Sequence, residues 1–198
     1  MFPSLFQMLN NAIYKKKIAL KDNYFKKYSY LCISKNDYIM AKATILSVEQ
    51  TEKAGLFTII FEGEGVSEFD NFYNKFINDA ERSKDLQQIL TQIDLMMNVR
   101  GFTERNFRPE GKMSDNVVAL PTYKNSLRLY CLRLSDSVLI VGNGGVKTTQ
   151  TVQQDPVLNG YVINLQKLDA LLKADIRRGY VRIEKTEIIG ADNKEYDI

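Results

Sequence analysis

The sequence predicts an α+β domain over residues 43–147, with two helices packed on an antiparallel sheet. Three observations carry that expectation. Residues 57–62 (FTIIFE) are β-branched and aromatic and stop at Gly63 and Gly65, as a strand does. Two helical patterns follow, each with a single apolar stripe. Residues 127–134 and 138–141 then form two strongly apolar runs joined by Ser135-Asp136-Ser137, the pattern of a hairpin. Two one-striped helices cannot bury both stripes on each other alone, so they need a sheet to pack against.

Each element has its own signal. The first helix starts at Ser67, where Ser67-x-x-Asp70 resembles a capping box with Asp in place of Glu or Gln. Phe69, Phe72, Tyr73 and Phe76 recur at i, i+3, i+4 and i+7 and share one face. The second helix covers about 84–98, with Leu86, Ile89, Leu90, Ile93 and Met97 inward and Gly101 as its C-terminal glycine. Residues 102–117 are polar and irregular and carry Arg105, Arg108 and Lys112. Residues 117–120 are a short strand ended by Pro121. The predicted order is therefore β-α-α-β-β-β.

Beyond the domain, Asp155-Pro156 reads as a turn, and 164–178 as an amphipathic helix with Leu165, Leu168, Leu171, Leu172 and Ile176 inward. Residues 180–185 and 187–189 are short strands, and Gly190-Ala191-Asp192-Asn193 is a turn before 195–198. Residues 152–198 are thus expected as a helix and β-hairpin that extend the domain of residues 40–151 and pack on it.

The 39 residues before that domain differ in composition. They hold seven lysines (15, 16, 17, 21, 26, 27, 35) against Asp22 and Asp37, a net of +5, and five of the eleven tyrosines. The whole chain is +3, so residues 40–198 carry −2. Lys, Asn, Tyr, Ile and Phe, the residues of A/T-rich codons, make up 23 of the 39, and Met40-Ala41-Lys42 reads as an ordinary start. One expectation is that Met40 is the natural initiator, to be tested by the intact mass of natively expressed protein. The other is a basic, aromatic arm suited to nucleic acid or an anionic surface.

Composition excludes several kinds of chemistry. There are no histidines, which removes Ser–His–Asp and Cys–His machinery and the commonest metal ligand. Cys32 and Cys131 are too few for a disulfide framework and fit a reducing compartment. No run reaches the roughly 20 apolar residues of a membrane span, and nothing reads as a secretory signal, so the cytoplasm is expected and a membrane partner is not. Gly142-Asn143-Gly144-Gly145-Val146-Lys147 fails as a phosphate loop, because Val146 separates the last glycine from Lys147. The glycines read instead as a strand end where positive φ is needed. No metal or small-molecule cofactor is expected.

Leu127-Arg128-Leu129-Tyr130, the short hairpin, the apolar run 138–141, the glycine-rich bend and Lys147-Thr148-Thr149 together resemble the C-terminal half of RelE/HigB-type toxins. The upstream strand–helix–helix order is similar too, and the resemblance covers about 44–151. It implies a RelE-like antiparallel sheet with two N-terminal helices. It also implies metal-independent cleavage of mRNA on the ribosome, held off by a cognate antitoxin, expected as a helix-turn-helix protein. By position, Arg128 matches the family's strand arginine and Lys147 the basic residue after the last strand, and Lys112 is a further candidate for the reaction. Arg105, Arg108 and Arg133 are candidate RNA-binding cations, and Tyr130 a stacking platform or a half-buried strand aromatic. Arg128 and Tyr130 fall on one strand face and Arg133 on the other. Thr148 and Thr149 stand directly after Lys147, where several members place a catalytic His or Tyr, so the proton acceptor is unassigned. ParE-like relatives, which bind gyrase without cutting RNA, imply the other reading: a non-catalytic protein-binding module. A third is a mobile-element or phage-associated protein without nuclease activity.

Overall fold

The computed structural model describes residues 41–110, 114–123 and 127–198; the Met40 start and the basic leader lie outside them. Strands β1 (Lys42–Gln50) and β2 (Gly55–Phe61) lead into helices α1 (Glu68–Phe76) and α2 (Ser83–Leu95). After them come β3 (Arg108–Pro109), β4 (Val117–Pro121), β5 (Leu127–Arg133) and β6 (Val138–Val146). Helix α3 (Pro156–Arg177), the ribbon of β7 (Arg182–Glu184) and β8 (Glu187–Ile189), and β9 (Glu195–Asp197) complete the chain. Among the described residues the sheet has seven strands in the order β3-β4-β5-β6-β2-β1-β9.

The class is α+β, but the sheet is mixed, which corrects the antiparallel expectation. Strand β2 runs parallel to β6, pairing Gly55 with Val138 through Thr58 with Val141, while the other pairs are antiparallel. The strand β1, which the predicted order lacked, is what drives β2 inward. It takes one edge of β2, from Ala43↔Phe61 to Gln50↔Gly55, and leaves the other edge for β6.

Alternation along the central strands builds two apolar layers. Leu127, Leu129 and Cys131 of β5 and Leu139 and Val141 of β6 join the core under α1 and α2. Tyr130 and Leu132, with Val138 and Ile140, join the core under α3. A sheet covered on both faces carries near-continuous apolar strands, and β6 is buried from Val138 to Gly145.

The helices α1 and α2 form where their stripes require. Ser67 caps α1 by accepting from the Asp70 amide, and Asp70 accepts in return from the Ser67 amide. Phe69, Phe72, Tyr73 and Phe76 are all buried, as are Leu86, Ile89, Leu90 and Ile93 of α2. Met97 lies in a π-turn, Met96–Arg100, that extends α2 and is closed by Gly101 at φ 71°.

The C-terminal region departs most from expectation. Asp155-Pro156 is a helix start: the Asp155 carboxylate accepts from the amides of Val157 and Leu158, and Pro156 takes the first helical position, where no N–H is needed. Helix α3 therefore begins eight residues before 164, and its Leu158, Val162, Leu165, Leu168 and Leu172 form the second core. The ribbon β7–β8 pairs as expected. Strand β9 goes further and joins the main sheet along β1, Lys42↔Asp197 to Thr44↔Glu195. Residues 152–198 thus supply a covering layer and an edge strand of the sheet.

Candidate functional site

Three chain segments bring charge together at β5. The hairpin register sets Arg128 opposite Gly145 and Leu127 opposite Val146, so Lys147 leaves β6 beside the start of β5. On the far side, β3 sets Arg108 opposite Ala119 of β4, which is itself opposite Tyr130, and Glu110 follows directly. The Glu110 carboxylate forms an ion pair with the Arg128 guanidinium and lies 3.8 Å from the Lys147 ammonium. All three side chains are covered: 9% of Arg128, 11% of Lys147 and 7% of Glu110 remain accessible. Arg108 is exposed, yet close enough for its charge to act on both cations.

The electrostatics follow from that covering. Burial pushes the Lys147 ammonium below its ordinary pKa, and the positive charges of Arg128 and Arg108 push it the same way. Burial also lowers Arg128, with Arg108 adding to it and the neighbouring Tyr130 opposing. Arg128 stays charged, so the shift measures the cost of holding that charge. Among the described residues the cluster contains three cations and one carboxylate, and the Arg128 Nε is buried without a hydrogen-bond partner. An anion is what such a cluster lacks.

Tyr130 is fully buried in the core under α3 instead of half-buried, which leaves no ring face open to stack a base. Among the described residues its hydroxyl has no hydrogen-bond partner, and its pKa is pushed up to about 12, by burial first and by Asp155 in addition. The neighbouring glycines explain how α3 approaches so closely. Strand β6 carries an extra residue here, Gly142 and Asn143 lying between the partners of Leu129 and Cys131. A Cβ on Gly142 would touch Leu165 at 3.3 Å, and one on Gly144 would run into the Arg128 carbonyl. These glycines lie within β6 and none has a positive φ. Close approach, not a left-handed bend, is what requires them.

The remaining sequence candidates separate. Arg133 is at the other end of β5, its Nε donating to the Phe102 carbonyl at 2.6 Å and its guanidinium paired with Asp136 in the hairpin turn. It clamps the turn and does not join the cluster. Arg105 is exposed on the 3-10 turn Glu104–Asn106. Lys112 lies outside the described residues. Glu110 is the residue that the sequence reading missed. Its only signal was to be an acid inside the cationic stretch 102–117, a signal it shares with Glu104 and Asp115.

Chemically, the cluster brings together a carboxylate, an ammonium whose burial eases the loss of its proton, and two guanidinium groups. Among the described residues no group of three or more His, Cys, Asp or Glu is placed to hold a metal ion, and no helix is long and apolar enough to cross a membrane. No protein-family model, curated protein or solved structure matches the chain.

Proposed function

We propose that the protein is an endoribonuclease of the RelE/HigB-like toxin kind, with Glu110, Arg128 and Lys147 as its reaction centre. The supporting observation is the convergence of Arg128 and Lys147, far apart in sequence, on one carboxylate inside a cation-rich, covered cluster. In the reaction the ribose 2′-hydroxyl gives its proton to Glu110 and its oxygen attacks the adjacent phosphorus. Arg128 and Arg108 hold the charge that builds on the phosphoryl oxygens. The bond from phosphorus to the 5′-oxygen breaks, and Lys147 delivers a proton to that leaving oxygen. The products are a 2′,3′-cyclic phosphate and a 5′-hydroxyl. A ribosome would hold the mRNA in line, so the protein need supply only these few groups, and a cognate antitoxin of helix-turn-helix type would keep it silent. The cytoplasm is where those partners are.

A second reading has its own support. The three side chains are nearly closed off, and residues 40–198 are net negative, which disfavours a polyphosphate ligand. On this reading the fold is a non-catalytic protein-binding module, and the Glu110 cluster holds β3 to the hairpin.

Purified chain added to ribosomes translating a defined message separates the two. The nuclease predicts codon-phased cuts with cyclic-phosphate ends, lowered about 100-fold or more in Glu110→Gln, Arg128→Ala and Lys147→Ala chains that still show native circular dichroism. Growth arrest on induced expression without any cut assigns the protein-binding module. Neither cuts nor arrest rejects both.

A further inference from the structure

Strand β1 has nine residues, but β9 covers its outer edge only from Lys42 to Thr44. No strand among the described residues pairs with that edge beyond Thr44, and Ser47 and Gln50 are exposed there. Open edges present unpaired amides and carbonyls and are ready templates for another chain. The surroundings of this edge are specific. A bulge at Val48 interrupts the register with β2, and Val48 packs toward the α1–α2 side. Glu49 is half-buried, and burial first, with the negative charge of Asp94 on α2 adding to it, raises its carboxyl pKa. Among the described residues neither acid forms an ion pair with a cation. Beside Asp94, Leu95 and Val99 share the next ridge of the helix end and are 39% and 62% exposed. The Thr51 hydroxyl donates to the Met97 carbonyl at 2.7 Å and ties the β1–β2 turn to that same helix end.

We infer that the outer edge of β1 beyond Thr44, with Glu49 and Asp94, is a docking site for a basic, extended segment of a protein partner. The segment adds to the sheet as a strand beyond β1. Its backbone pairs with the open edge, a Lys or Arg settles between the two carboxylates, and apolar side chains cover Leu95 and Val99. Charge selects a basic occupant. A second copy of the chain would bring four acids together across the edge, and a nucleic acid would bring phosphates to it; both are repelled. This inference stands whether or not the Glu110 cluster cuts RNA.

The test uses the full chain and an end-blocked peptide, about nine residues long to span the edge, in which Lys and Val stand two residues apart so that both lie on one strand face, followed by amide NMR at low salt. Shifts confined to residues 45–50 and 94–99 are expected. Binding should weaken about tenfold or more in Glu49→Lys/Asp94→Lys, whose folding is checked by circular dichroism. A peptide N-methylated at alternate residues should weaken similarly, because it cannot complete the strand hydrogen bonds. Equal binding by the N-methylated peptide or by the charge-reversed chain overturns the inference. So do shifts elsewhere, no shifts at millimolar peptide, or self-association through this edge.

Discussion

Glu110 stands between Arg128 and Lys147 with less than a tenth of its side chain accessible, and Arg128 is covered as well. Removing one member of such a pair leaves the other buried and uncompensated. Glu110→Ala, which strands both cations, should therefore cost about 3 kcal/mol in urea unfolding, whereas Arg128→Met/Glu110→Leu/Lys147→Met together should cost much less. Tyr130 makes the opposite case. Its buried hydroxyl has no hydrogen-bond partner among the described residues, so Tyr130→Phe should leave stability at pH 7 unchanged or raise it by about 1 kcal/mol. At alkaline pH the two groups pull in different directions. The folded chain releases the Lys147 proton below the unfolded value of 10.5, so the unfolded state binds more protons in that interval and stability rises with pH. Tyr130 is held protonated to about 12 against an unfolded 10.0, so above pH 10 the folded state binds more protons and stability falls. Denaturant midpoints between pH 8 and 12 should show the rise flattened by Lys147→Gln and the fall reduced by Tyr130→Phe.

At the scale of elements, local sequence and local structure agree best where one helix face decides. Ser67→Ala removes the acceptor for the Asp70 amide and should cost about 1 kcal/mol, read as a shift in melting temperature. The four aromatic residues of α1 and the apolar stripe of α2 lie inward as their spacing requires. The hairpin β5–β6 was legible for the same reason, since its apolar runs and Ser135-Asp136-Ser137 turn are local signals. The glycines of β6 were legible as a special place but not as a particular one. Positive φ and close approach both call for Gly, and only the position of α3 and the extra residue in β6 tell them apart. Gly144→Ala should push against the Arg128 carbonyl, destabilise by about 1–3 kcal/mol, and impair any reaction that depends on Arg128.

For the whole molecule, the decisive fact is that both sheet faces are covered. Leu158, Val162, Leu165, Leu168 and Leu172 of α3 cap one face, and burying five such side chains stabilises by on the order of 10 kcal/mol. That is comparable to the entire stability of a domain. A chain ended at Thr151 should thus be insoluble or lack a cooperative thermal transition by circular dichroism, whereas a true appendage could be removed without either effect. In the candidate site, the pairing of Arg128 with Lys147 was partly legible, because a hairpin brings the start of one strand to the end of the next. Glu110 was not, because a two-residue strand in a polar stretch has no periodicity to reveal which residue it faces.

By itself the sequence determined the local elements: the two helices, the Ser67 cap, the hairpin and the later turns of the amphipathic C-terminal helix. It also determined the absence of histidine chemistry. These depend on short-range spacing, where a period of two or of 3.6 leaves little freedom. Only the tertiary structure decided that β2 and β6 run parallel, that α3 and β9 complete the sheet, and that Glu110 closes on Arg128 and Lys147. Those outcomes come from pairing between residues distant along the chain, where the burial of two faces at once, not any local pattern, selects the arrangement.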